Sequence, residues 1–104
     1  MKIKKVKIKC FTYKIHFIKA ASDHGETDTD TKDIYINMNY PIEVQRETLN
    51  HEILHACFTD FPNFGKEGKP DDCEEDLIRY ISPTLVQVYK DNKWLREFVF
   101  GVKE

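Results

Sequence analysis

The chain predicts an α+β domain with strands first and helices after, and three observations carry that prediction. Apolar and polar residues alternate up to residue 37, apolar spacing turns helical after Pro41, and polar or glycine-bearing tracts separate the segments. At 104 residues there is chain for one core and too little for two, so residues 1–104 are expected to form a single domain.

"KIKKVKIK" sets Ile3, Val6 and Ile8 in imperfect alternation, and "YKIHFI" sets Tyr13, Ile15 and Phe17 in cleaner alternation. With Cys10-Phe11-Thr12 between them, the two runs read as an antiparallel hairpin. "ASDHGETDTDTKD" is turn-rich and predicts a loop, with a short strand after Gly25. "DIYINMN" predicts another strand, Ile34 and Ile36 on one face and Tyr35 on the other.

Pro41 suits a first helical position, where its missing N–H has no partner to lose. Leu49, Ile53, Ala56 and Cys57 then form one apolar stripe, and Leu54, Phe58 and Phe61 a second, with Pro62 closing the helix. After the loop "NFGKEGKP", "DDCEEDLIRYISPTLVQVYKDN" opens with acids suited to a helix N-terminus. It continues with Leu77, Ile78, Ile81, Leu85 and Val88 on one face, and Pro83 predicts a kink. "KWLREFVF" predicts a short last helix that packs Trp94, Leu95 and Phe98.

Composition excludes function classes more than it selects one. With 40% hydrophobic and 33% charged residues and a net charge of −2, the chain suits neither wholesale nucleic-acid binding nor disorder. Lysines crowd the first 19 residues and acids crowd Asp23 to Asp33. Lysines alternating with apolar residues fit the wet face of an edge strand better than a phosphate-binding surface. No 18-residue apolar segment predicts a membrane span, and the basic N-terminus lacks the apolar region of a secretory signal. Cys10, Cys57 and Cys73 form no even set and no CxxC pair, which points to a reducing cytoplasm.

The residues that carry chemistry lie in "TLNHEILHACF", Thr48 to Phe58. Thr48, His51, Glu52, His55 and Thr59 follow a polar stripe between the two apolar ones. His51 and His55 are one turn apart, so both imidazoles can hold one zinc ion. Glu52, about 100° round the helix, can reach a metal-bound water without being a ligand. Two ligands and a general base thus fit in five residues. The flanking apolar residues predict partial enclosure, where unpaired imidazoles would be costly.

A catalytic zinc has three protein ligands and an open position. No histidine follows His55, and His16 and His24 precede the helix. Downstream candidates are Asp60, Asp71, Asp72, Cys73, Glu74, Glu75 and Asp76. Glu74 and Glu75 are best placed near the start of the next helix, and helical geometry alone does not separate them.

"TLNHEILHACF" and "EEDLIRYISPTLVQVYKDN", preceded by "GETD…DIYIN", resemble small zincin-type metallopeptidases of the ImmA/IrrE and SprT-like kind, in particular the short versions encoded by phages and prophages. The resemblance spans most of residues 25 to 92. It implies a minimal zincin-like metallopeptidase domain with Zn2+ on His51, His55 and Glu75, Glu74 being the reserve ligand. Arg79 departs from the acid or asparagine that many relatives carry four residues after the ligand. The implied reaction is hydrolysis of a peptide bond, with Glu52 moving a proton from water to the leaving amine. The implied partner is a protein or peptide substrate such as a regulatory protein. Tyr35, Tyr80 and His24 are candidates to stabilise the oxyanion. Two other classes compete: a zinc-binding module with little chemistry, and a nucleic-acid-associated protein using the lysine-rich hairpin.

Overall fold

The computed structural model describes residues 3–20, 23–58 and 70–104, and the backbone alone for 70–76. Four strands, β1 (Lys4–Ile8), β2 (Phe11–Ile18), β3 (Gly25–Asp28) and β4 (Asp33–Asn37), precede three helices. These are α1 (Ile42–Cys57), α2 (Pro70–Asp91) and α3 (Lys93–Phe100). The class is α+β, as the change of apolar period at Pro41 predicts.

β1 and β2 form the antiparallel hairpin, but Ile8 pairs with Phe11, so its turn is Lys9-Cys10 rather than Cys10 to Thr12. Lys9 takes the turn's positive φ of 58°, a position that an Asn-Gly signal would have marked. β4 then pairs parallel with β2 and antiparallel with β3, giving the sheet order β1-β2-β4-β3.

Register fixes the two faces. Val6, Ile8, Tyr13, Ile15, Ile34 and Ile36 point inward and are at most 1% exposed. They meet Leu49, Ile53, Ala56 and Cys57 of α1, Val88 of α2 and Leu95 of α3. The opposite face carries Lys5, Lys7, Lys14, His16 and Tyr35, solvated or half-buried as one face of such a sheet commonly is. Burial of apolar surface at about 25 cal/mol per Å² makes the inward face the main driving force for the fold.

The two sheet edges are treated differently. Along β1, the Lys7 N–H donates to Asn92 Oδ1 at 3.0 Å and the Lys9 N–H to Gln87 Oε1 at 3.0 Å. Asn92 Nδ2 returns a bond to the Lys7 carbonyl at 2.9 Å. Side-chain amides thus cover backbone groups that would otherwise template another strand. Lysines of this region also pack on rings: Lys4 over Trp94 at 5.6 Å and Lys9 over Tyr80 at 4.6 Å. At the other edge, β3 pairs with β4 alone among the described residues.

The helices differ from the sequence expectation in three places. Pro41 precedes α1 as its N-cap, its carbonyl accepting from the Val44 and Gln45 N–H groups at 3.0 Å each. α1 ends at Cys57 with Phe58 as C-cap, while Phe61 and Pro62 lie outside the described residues. On α2, which contains Pro83, Val88 is buried and Ile81 packs against the core as predicted, whereas Ile78 is 48% exposed. α3 packs as predicted, with Leu95 buried and Phe17 against Trp94 and Phe98. No helix among the described residues is long and apolar enough to cross a membrane.

Candidate metal centre

α1 has no Gly or Pro in its interior, so its i, i+4 geometry holds throughout. His51 and His55 stand on one stripe with ring centroids 4.7 Å apart at an interplanar angle of 76°. Their Nε2 atoms are 3.1 Å apart. Two nitrogens on one tetrahedral zinc, at ~2.0–2.1 Å from the ion, are themselves separated by about 3.3 Å. The separation of the pair is therefore close to that of two ligands on one metal, and it also suits an N–H···N hydrogen bond between the rings. One ligand atom from each of His51, Glu52 and His55 lies within 4.8 Å of the others, and this is the one such group among the described residues.

The three side chains sit in different surroundings. Glu52 is 7% exposed, whereas His51 and His55 are exposed. The predicted enclosure of the imidazoles therefore does not hold among the described residues: Thr48 and Glu52 of the stripe are buried against β3, whereas His51 and His55 are exposed. Convergence of the two nitrogens, rather than the cost of burying them, is what speaks for a metal.

A buried carboxylate needs hydrogen-bond donors. Thr27 on β3 supplies one, its hydroxyl donating to Glu52 Oε1 at 2.6 Å and lying 3.3 Å from the Glu52 carbonyl oxygen. Thr27 points inward because it pairs with Ile34, whose side chain is in the core. Oε2 of Glu52 is then the oxygen left to take a proton. Thr27 escaped the sequence reading, since a threonine in "GETDTDT" looks like turn chemistry. The signal that could have found it is the inward period of Gly25 and Thr27. Replacing Thr27 by Val is expected to leave metal content unchanged and to cost about 1–3 kcal/mol of stability from an unsatisfied buried carboxylate. Thermal unfolding checks this, and Thr27→Ser should restore the wild-type midpoint.

Gly25 lets β3 approach α1. A Cβ there would stand 2.7 Å from Thr48 Cγ2, 2.9 Å from the Tyr35 carbonyl oxygen and 3.4 Å from Glu52 Cγ. The carbonyl belongs to the sheet and cannot yield cheaply. Gly25→Ala should destabilise the fold by about 1–3 kcal/mol, measured by denaturant unfolding, as overpacking does.

Between β3 and α1 lies a cleft of about 540 Å³, lined by Asp23, His24, Gly25, Val44, Glu47, Thr48, His51 and Glu52. Buried Asn37 holds the segment that brings Asp23 to the cleft. Asn37 Nδ2 donates to the Ala20 and Asp23 carbonyls at 3.1 Å each, and Oδ1 accepts from the Asn39 N–H at 2.9 Å. His24 stacks on Tyr40 at 3.9 Å. Of the three candidates for an oxyanion donor, His24 alone lines the cleft. Tyr35 is on the opposite sheet face, stacked on His16 at 4.8 Å, and the Tyr80 hydroxyl accepts from the Lys9 ammonium beside Phe58.

The side chains of Asp71, Asp72, Cys73, Glu74, Glu75 and Asp76 lie outside the described residues, as does Asp60. The backbone places Glu74 and Glu75 in the first turns of α2. Cys57, behind the motif, is buried and its thiol is pushed up to about 11 by desolvation, so it packs rather than reacts. No protein-family model, curated protein or solved structure matches the chain.

Proposed function

We propose that the protein is a zinc-dependent peptidase, with the metal held by His51, His55 and Glu75, and Glu74 as the reserve for the third position. The observation that carries this reading is the 3.1 Å approach of the two Nε2 atoms beside a carboxylate that is buried and anchored. Zinc bound there would lower the pKa of a water and polarise a carbonyl.

The chain's own residues account for the remaining steps. Glu52, anchored through Oε1 by Thr27, presents Oε2 to receive a proton from water and to return it to the leaving amine. Burial keeps that carboxylate away from bulk solvent. His24, at the cleft's mouth, is positioned to donate to a polarised carbonyl oxygen.

The peptide character of the substrate is supported by the contrast between the sheet edges. β1 is covered by Gln87 and Asn92, while β3, which borders the cleft, has β4 as its one strand partner among the described residues and so presents an edge that an extended chain could join. The resemblance of "TLNHEILHACF" to zincin peptidases points the same way. The corresponding substrate is an extended segment of a protein, a regulatory protein among the candidates.

Hydrolysis of an unstructured peptide mixture, read by mass spectrometry, tests the proposal. Cleavage should stop on adding 1,10-phenanthroline and return on restoring zinc. Cleavage indifferent to chelator, or none with zinc bound, contradicts it.

A further inference from the structure

A second pocket, of about 530 Å³, shares Glu47 with the cleft and lies between α1, the C-terminal half of α2 and the end of α3. Leu85, Tyr89, Val99 and Phe100 give it apolar walls, and Arg46 is the cation among its lining residues. We propose that this pocket binds the free C-terminus of a peptide that ends in an apolar residue.

Arg46 is the reason. Its Nε is shut off from water with no hydrogen-bond partner among the described residues, so a carboxylate would meet the Nη groups. Its guanidinium packs against Gly101, where a Cβ would come within 3.2 Å of both Cζ and Nη1. Gly101 takes a left-handed φ of 69° as the C-cap of α3, so the main chain there leaves room for the planar group. A guanidinium held in this way, in no ion pair among the described residues, is a preorganised fork for a carboxylate.

The remaining lining groups suit a peptide rather than a bare fatty acid. The Tyr89 hydroxyl donates to Asn50 Oδ1, which leaves the Asn50 amide N–H groups for a ligand carbonyl. Glu43 and Glu47 are exposed and can accept from a peptide N–H, and their charge opposes a carboxylate, so its binding requires direct contact with Arg46. Leu85, Val99 and Phe100 would take the terminal side chain. Nothing in this site involves the metal, so it stands or falls apart from the peptidase reading.

Titration of the 15N-labelled full chain with N-acetyl-L-phenylalanine, its amide, cationic L-phenylalaninamide and octanoate tests the proposal by NMR. The acid should bind at least ~10-fold tighter than its amide and tighter than octanoate, with shifts at residues 46, 50, 85, 89 and 99–101. Arg46→Met should erase the preference for acid over amide. Equal binding of acid and amide, tightest binding of L-phenylalaninamide, or shifts confined to other surfaces would overturn it. Octanoate binding as tightly as the acid would overturn the peptide terminus as ligand. The acid–amide comparison uses the wild-type chain, so it decides even where an Arg46 variant does not fold.

Discussion

Replacing Glu52 by Gln is expected to leave about one metal ion per chain and to lower peptide hydrolysis by about 10²–10⁴-fold, the range for losing a general base. The substitution is close to isosteric. Gln keeps an oxygen that can accept from the Thr27 hydroxyl, so the contact between β3 and α1 at 2.6 Å has a substitute and the fold is retained. What disappears is the second oxygen able to carry a proton. Elemental analysis and initial rates on the same preparations check both halves of the expectation. A variant that hydrolyses peptide at the wild-type rate would remove Glu52 from the chemistry.

His51→Ala and His55→Ala are each expected to lower metal affinity by more than the ~10–100-fold that loss of an outer hydrogen-bond partner costs, because each removes a ligand outright. Both rings are exposed, so little packing is lost and unfolding midpoints should move by less than about 1 kcal/mol in free-energy units. That separation is useful. A fall in metal content with an unchanged fold assigns the two imidazoles to the metal, while unchanged metal content would leave them as ordinary surface residues of α1.

The legibility of the molecule in its sequence follows physical lines. Alternation in "YKIHFI" and "DIYIN" reports which side chains face the core, and Tyr13, Ile15, Ile34 and Ile36 are indeed buried. It carries no information on which strand lies beside which. The insertion of β4 between β2 and β3 was therefore not readable, since parallel pairing depends on a crossover rather than on a local signal. Helical spacing likewise left a wide arc open on α2, in which Ile78 turned outward and Val88 inward.

The site divides in the same manner. His51, Glu52 and His55 belong to one helix, and their convergence follows from the helical repeat alone. Thr27 and Gly25 come from a strand more than twenty residues away, and only the sheet brings them against Glu52. Asn37, the last residue of β4, also holds the Asp23 carbonyl through its side-chain amide, a contact that alternation does not report. The pairing of Thr27 with Ile34 is thus what sets a hydroxyl against the Glu52 carboxylate beside the two imidazoles.

Everything proposed for the cleft depends on α1 holding one metal ion between His51 and His55. Native mass spectrometry of the untagged wild-type chain, stripped of metal and titrated with zinc, tests it most directly. Saturation at about one zinc per folded chain is expected, retained through buffer exchange and absent in His55→Ala. A wild-type chain that takes up no zinc, or that takes up several ions with no change on removing His55, would contradict it.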